Sequence, residues 1–300
     1  MKFIKVFFLV ILFCSCTQDE KIPNFLEYDY VQTIQLIEFV ENATIKLQNE
    51  GVESFFNSKY DKIDNKKSNF IFIYDLNGKC IFHPVLDNLE NQDLIEFKDI
   101  NGKPVIKMIV DIASKGKNQT GWVHYLWTET GELHPLWKSS YIKGVKCKDG
   151  NFYAIGSGIY NMTIEKVFIK QMIDSAASLI NVMGDSSIAF IKDRSNYFSI
   201  YDNYVYAVDF EGKTIIDPSF PNGAGRNILN FKDFTGKFII KEMIKKLQNQ
   251  DSAWVMYMWP KPKDKKPSKK LAYIRKVYLN GKPAIIGADL FVAKPIWMKN

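Results

Sequence analysis

The sequence predicts an α+β protein of two tandem modules, each a five-stranded antiparallel sheet with a long N-terminal helix and short covering helices. The first observation behind this is an internal duplication. Residues 72–107 align with residues 206–241 at an offset of 134, and 13 of the 36 positions are identical. They include Asp75/Asp209, Gly78/Gly212, Lys79/Lys213, Pro84/Pro218, Asp99/Asp233 and Gly102/Gly236. The match resumes at offset 132 with Trp122/Trp254, Tyr125/Tyr257, Trp127/Trp259, Lys138/Lys270 and Tyr141/Tyr273. Ala43/Ala176, Leu47/Ile180 and Gly51/Gly184 precede it at offset 133. Register held across three blocks marks one unit present twice, residues 27–160 and 161–293. The second observation is that both copies run through the same order of helical and strand patterns.

Each copy opens on an amphipathic helix. Val167, Phe168, Met172, Ala176, Leu179, Val182 and Met183 fit helical spacing well, Ile34, Ile37, Val40, Ile45 and Leu47 more loosely. Gly51 and Gly184 can end these helices. A strand, a tight turn at Asn77 and Gly78, and a second strand follow within residues 70–84; Glu211 and Gly212 make the turn in copy two. After a second Asp-x-x-Gly turn come a helix (105–114 and 238–247) and three strands, in copy one at 121–127, 138–145 and 151–157. Asp75, Asp99, Asp209 and Asp233 each precede a turn glycine and are expected to cap those turns.

The composition is globular, with 46% hydrophobic and 24% charged residues, and a net charge of +7. Much of the excess lies in the Lys/Pro run 261–270, expected as a solvated hairpin loop. No aromatics interleave it, which argues against nucleic acid. The N-terminus reads as an export signal: Lys2 and Lys5, then a short apolar run from Val6 to Phe13. That run is too short to span a bilayer. It ends in Ser15 and Cys16, which resembles the bacterial lipobox, a small residue before the cysteine that is acylated. We therefore expect residues 1–15 to be a lipoprotein signal peptide, 16–26 an acylated tether with Cys16 lipidated, and 294–300 a tail. The expected location is exported, anchored by lipid to the bacterial membrane.

Cys80 and Cys147 can form a disulfide in an oxidising compartment or stay as buried thiols. His83, His124 and His134 have no metal-ligand spacing, and neither metal nor cofactor is expected. Gly223 and Gly225 open like a dinucleotide loop without its third glycine or a surrounding βαβ pattern. No nucleophile elbow, phosphate loop or paired acid/base spacing occurs, so the expectation is a binding protein and not an enzyme.

Taken in order, Tyr-x-x-Asp-x-x-Gly-Lys, Pro, Gly-x-Asn, Asp-x-x-Gly-Lys, Gly-Trp-Val-x-Tyr-x-Trp-Pro-x-Pro, Lys-x-x-Tyr-Ile and Ile-Gly-x-Gly-x-Tyr form a series. This series resembles Cache domains, the extracytoplasmic PAS-like sensor modules of bacterial chemoreceptors and histidine kinases. Copy two keeps Gly225, Arg226 and Asn227 but ends Ile286, Gly287, Ala288, Asp289 where the pattern has a second glycine. Copy one keeps Gly156, Gly158 and Tyr160 but has Asn91, Gln92 and Asp93 in place of Gly-x-Asn. The resemblance implies binding of a small organic anion or amino acid, presented to a separate transporter or sensor kinase. Strand alternation places Tyr257 with Trp259, and Tyr273 with Arg275. In copy one Tyr125 goes with Trp127, and Tyr141 with Lys143. A tyrosine and a cation beside an aromatic strand suit a carboxylate, with Arg275 as the anion clamp. Lys270 is the next candidate, although Lys138 and Lys270 open their strands and are expected at the surface. Two alternatives stay open: the aromatics fill the core with Arg275 and Lys143 facing solvent, or the protein is a structural or adhesive surface lipoprotein that no longer binds ligand.

Overall fold

The computed structural model describes residues 27–57, 70–129, 131–193, 195–218, 225–261 and 266–292. The signal peptide and the whole of the tether with Cys16 lie outside these residues, as do residues 262–265 of the Lys/Pro loop and the tail.

Module one contains α1 (Val31–Glu50), α2 (Glu53–Asn57), β1 (Phe72–Asp75), β2 (Cys80–Phe82), α3 (Val105–Ala113), β3 (Thr120–Trp127), β4 (Leu136–Lys146) and β5 (Phe152–Tyr160). Module two contains α4 (Lys166–Met183), α5 (Ser187–Lys192), β6 (Ser199–Ile200), β7 (Asn203–Tyr204), β8 (Tyr206–Asp209), β9 (Thr214–Ile216), α6 (Ile239–Leu247), β10 (Ser252–Pro260), β11 (Pro267–Leu279) and β12 (Lys282–Phe291). The two five-stranded sheets have one topology, β2-β1-β5-β4-β3 and β9-β8-β12-β11-β10, antiparallel throughout. The two-residue strands β6 and β7 form a separate hairpin that sequence reading missed.

Each sheet lies between two helices. The long helix covers one face: Leu36, Ile37, Val40, Ala43 and Leu47 of α1 pack on Ile71, Ile73, Tyr141, Val145 and Ile155. The short helix covers the other: Val105, Ile106, Ile109 and Ala113 of α3 meet Phe72, Tyr74, Val123, Tyr125 and Ile142. Module two repeats this with α4 against Tyr273, Val277 and Ile286, and α6 against Val255, Tyr257, Ala272 and Ile274. Burial on both faces gives the sheets cores that a lone hairpin would lack.

The turn aspartates act as expected. Asp75 Oδ1 accepts from the amides of Asn77 and Lys79, and Asp209 from those of Glu211 and Lys213. Gly78 and Gly212 sit at φ +88° and +87°, where a side chain would be strained. Asp99 and Asp233 do more: beyond their own turns, each accepts the amide of the edge strand, from Leu126 and Met258, at 2.9 Å. Burial opposes ionisation of Asp233, but the Thr235 hydroxyl and the Met258, Lys237 and Thr235 amides hold its carboxyl down at about 2. Cys80 and Cys147 are free, buried thiols.

The modules meet through particular side chains. Glu165, fully buried just before α4, accepts from the amides of Asp29 and Tyr30 and the hydroxyl of Thr33. It thereby caps α1, whose own N-cap, Tyr30, makes no side-chain cap bond. Phe168 of α4 packs on Trp122 and His124 of β3, and Trp137 stacks on Tyr201. Among the described residues no helix is long and apolar enough to cross a membrane.

Candidate functional site

The register of β10 on β11 decides which side chains share a cavity. Tyr257 stands opposite Lys270, Val255 opposite Ala272 and Ala253 opposite Ile274. Residues directly opposite one another project from the same face. Lys270 therefore joins Tyr257 and Trp259 on the α6 side, and Tyr273 and Arg275 project from the other face.

On the α6 side lies a cavity of about 220 Å³. Its walls include Tyr204, Tyr206, Phe231, Ile240, Met243, Tyr257 and Trp259; its charged groups are Asp217, Arg226, Lys270 and Asp289. The Lys270 ammonium pairs with Asp289 Oδ1 at 2.6 Å, both side chains less than one-fifth exposed. The Tyr257 hydroxyl donates to the other carboxylate oxygen of Asp289. Burial first, and then the Asp289 charge, raise the Tyr206 and Tyr257 phenols well above their ordinary value. Both therefore remain donors at neutral pH. Arg226, on the loop after β9, is exposed at the mouth, its guanidinium 5.3 Å from the Phe231 ring.

Tyr273 and Arg275 are not at this cavity. The Tyr273 hydroxyl donates to Asp174 Oδ1 at 3.2 Å and Arg275 Nη1 does so at 3.1 Å, both reaching α4. Module one has the same brace: Tyr141 donates to Glu41 of α1 at 3.2 Å, and the Lys143 ammonium pairs with that carboxylate. The placement of Arg275 as an anion clamp is corrected, and so is the grouping of Tyr141 and Lys143 with Tyr125 and Trp127. Strand period gives the two faces of a strand but not which face meets its neighbour; that is set by register across the connecting loop.

The expected exposure of the two lysines is corrected as well. β4 and β11 begin earlier than the pattern indicated, so Lys138 and Lys270 fall inside paired strand, opposite Tyr125 and Tyr257. Lys138 is 1% exposed. Its ammonium lies 4.0 Å from the Phe70 ring centroid and 4.8 Å from that of Tyr160. Burial, partly offset by Glu129, brings it down to about 7. Burial and then Lys138 lower His83 to about 3, so its ring is neutral and Nδ1 accepts the Leu86 amide. Tyr125 bonds Ser140 at 2.9 Å, Trp127 packs edge-on to Tyr125, and the remaining space is only about 10 Å³. That is room for about one water.

Sequence reading thus named Tyr257, Trp259 and Lys270 of the module-two cavity and missed Tyr206, Asp217 and Asp289 as lining residues. The signal for Asp289 was present: it stands where the repeat has Gly158.

A family model described as a Cache domain matches residues 31–279. Residues of the chain are 34% identical over 124 positions to the methyl-accepting chemotaxis protein McpP of Pseudomonas putida, covering 41% of this chain and 21% of that protein. The chain thus spans about a fifth of the length of that relative. Among solved structures, a Cache chemosensory domain described for carboxylic acid recognition is similar over 41% of this chain and 86% of its own (23% identity, TM-score 0.33). The ligand-binding domain of the Pseudomonas aeruginosa amino acid chemoreceptor PctB, in complex with L-Arg, is similar over 90% and 91% (12% identity, TM-score 0.32). The family match runs from the first turn of α1 to the last residue of β11, taking in every described element of both modules except β12, and on that extent the chain belongs to the Cache domain family.

Proposed function

We propose that this protein is an extracytoplasmic, lipid-anchored binding protein whose module-two cavity takes a small carboxylate, an amino acid above all, for presentation to a separate transporter or sensor kinase. The observation that carries this is the Lys270–Asp289 pair facing an aromatic-walled cavity. Drug-sized ligands occupy clefts of about 300–1,000 Å³, so 220 Å³ suits a small metabolite. Paired opposite charges in a partly buried site favour a ligand that is itself dipolar, because a net charge would be left uncompensated. An amino acid offers its ammonium to Asp289 and its carboxylate to Lys270 or Arg226, with Tyr257 as hydrogen-bond donor. The membership of the Cache family and the carboxylic acid and amino acid recognition described for similar structures support the ligand class.

A second reading, a structural or adhesive lipoprotein, is favoured by the filled interior of module one. A thermal-shift screen of amino acids and short organic acids separates the two. A ligand at 100 times its Kd should stabilise the fold by about 2.7 kcal/mol, and Lys270→Ala should abolish that gain. No stabilisation by any member of the panel would favour the second reading. The anchor has its own test: Cys16→Ala should release the protein from membranes or leave an uncleaved precursor. If lipid label persists in Cys16→Ala and is lost in Cys14→Ala, the anchor is Cys14.

A further inference from the structure

A second cavity, larger than that of module two, opens at the junction of the modules. About 320 Å³ in volume, it lies between α3 and β3 on one side and α4 and β6 on the other. Its walls are apolar and largely aromatic: Trp122 of β3, Phe168 and Met172 of α4, and Phe198. The Phe168 ring lies 4.8 Å from Trp122 and 4.7 Å from His124, and the planes of Trp122 and His124 are within 6° of parallel. The lining has no carboxylate among the described residues. Its buried cation, Lys103, is engaged: the ammonium donates to the carbonyls of His124 in module one and Ser199 in module two. Lys115 and Ser175 are exposed and mark the mouth.

The polar group left over is an imidazole. His124 lines the cavity and is 7% exposed. Its Nδ1 bonds Ser139 Oγ at 2.8 Å, and its Nε2 has no hydrogen-bond partner among the described residues. The Trp122 indole N–H, by contrast, is taken by the Tyr28 hydroxyl. Burial, and then the Lys103 charge, lower His124 to about 3, so the ring is neutral. Nε2 therefore offers a lone pair or a hydrogen, according to the tautomer.

We propose that this junction is a second binding site, for a small uncharged heteroaromatic ring packed on Trp122 and Phe168 and hydrogen-bonded to His124 Nε2. Aromatic and methionine walls select a flat body. Either charge is disfavoured. A cation meets lysines and no carboxylate, and an anion would have to draw Lys103 from the carbonyls that hold it. A buried nitrogen without a partner carries a cost that a polar ring atom removes and a wholly apolar ring does not. The volume is at the lower end of clefts that hold drug-sized ligands, about 300–1,000 Å³, and suits a compact ring system. Both modules contribute to the walls, so the occupant touches both.

The test is a calorimetric titration of the full-length protein with benzimidazole, at a pH where it is uncharged. Its ring carries both an N–H and an acceptor nitrogen, so it suits either tautomer of His124. Three relatives accompany it: indane (the fused outline without polar atoms), benzoate (a negative charge) and benzamidine (a positive charge). Benzimidazole should bind saturably. Indane should bind about threefold or more weakly, the worth of one neutral hydrogen bond, and the two ions about tenfold or more weakly. Ser175→Trp blocks the mouth from an exposed helix position and should weaken benzimidazole by about tenfold or more. Trp259→Ala, in the wall of the other cavity, should leave it unchanged. His124→Leu should erase the preference over indane; because it also gives up the bond to Ser139 and can fail to fold, the exposed variant and the ligand series decide the matter. Absence of saturation, equal binding by wild type and Ser175→Trp, or tighter binding of either ion overturns the proposal. Loss of benzimidazole in Trp259→Ala with retention in Ser175→Trp would place the ring in module two, overturning this site while leaving that one standing.

Discussion

Lys138 and Lys270 occupy the same position in two copies of one sheet, each opposite a tyrosine on the neighbouring strand, yet their surroundings differ. In module one the lysine is enclosed by aromatic rings with hardly any space left. In module two it meets a carboxylate at the edge of an open cavity. The difference traces to one cross-strand pair. Module one has Ser140 opposite Gly158; module two has Ala272 opposite Asp289. A Cβ at Gly158 would approach Ser140 Oγ to 2.2 Å and Lys138 Cε to 3.0 Å. The two residues of the pair have changed together: the larger side chain on β12 is accommodated by the smaller one on β11. A buried lysine can thus be kept by lowering its proton affinity or by supplying a counter-charge, and here only the second solution leaves a cavity.

The strongest way to break this comparison is Gly158→Asp, which adds both a steric clash and a charge to a filled interior. It should destabilise by about 3 kcal/mol or more in urea unfolding. Adding Ser140→Ala should recover part of that loss; simple additivity of the two would mean that they do not form a coupled pair. Next comes Lys138→Met. Replacing a buried charge by an apolar side chain of similar volume should stabilise by about 1–4 kcal/mol at pH 7. The folded value near 7 lies below the unfolded value of about 10.4. Between these the unfolded chain binds more protons, so stability should rise with pH across the window in wild type. Melts that give the same pH slope for Lys138→Met and wild type would show that Lys138 is not the group responsible.

Asp289→Gly sharpens the comparison from the other side. It restores the module-one residue and leaves Lys270 without its carboxylate. If the cavity binds as proposed, preference should move from amino acids toward simple carboxylates by about tenfold, read as a ratio of Kd values. The smallest effect is expected of Arg275→Ala. Its pair with Asp174 is about a third exposed on both partners, so the loss should be no more than about 1 kcal/mol, with ligand affinity unchanged. A large loss of affinity would mean that the face opposite the cavity takes part in binding.

The duplication, the five strands per copy, the flanking helices and the aspartate turns were all legible, because each depends on local period or on residues required at a turn. Tyr257, Trp259 and Lys270 were legible as site candidates for the same reason. The position of Arg275 was not. Its alternation with Tyr273 was read correctly, but the face was fixed by a pairing across the β10–β11 loop that the intervening sequence does not encode in any simple way. The seam was also hidden. Lys103 reads as an ordinary turn lysine, and nothing local indicates that its ammonium reaches the backbone of both modules. The β6–β7 hairpin, at two residues per strand, is too short to give a period.

Glu165 has one further consequence, for the history of the chain. At offset 133 the matching residue of copy one is Gln32, inside α1, so the cap that Glu165 supplies has no equivalent inside the repeat. The first helix starts on a residue that offers no cap of its own and takes one from the second copy. A gene encoding only the first copy would leave the amides of Asp29 and Tyr30, at the entry to the helix, without this acceptor, and a gene encoding only the second would carry an acid whose partners are missing. Trimming the chain to either unit would therefore lose one cluster of hydrogen bonds that the two copies complete together, at a cost of about 0.5–2 kcal/mol by the usual worth of a helix cap.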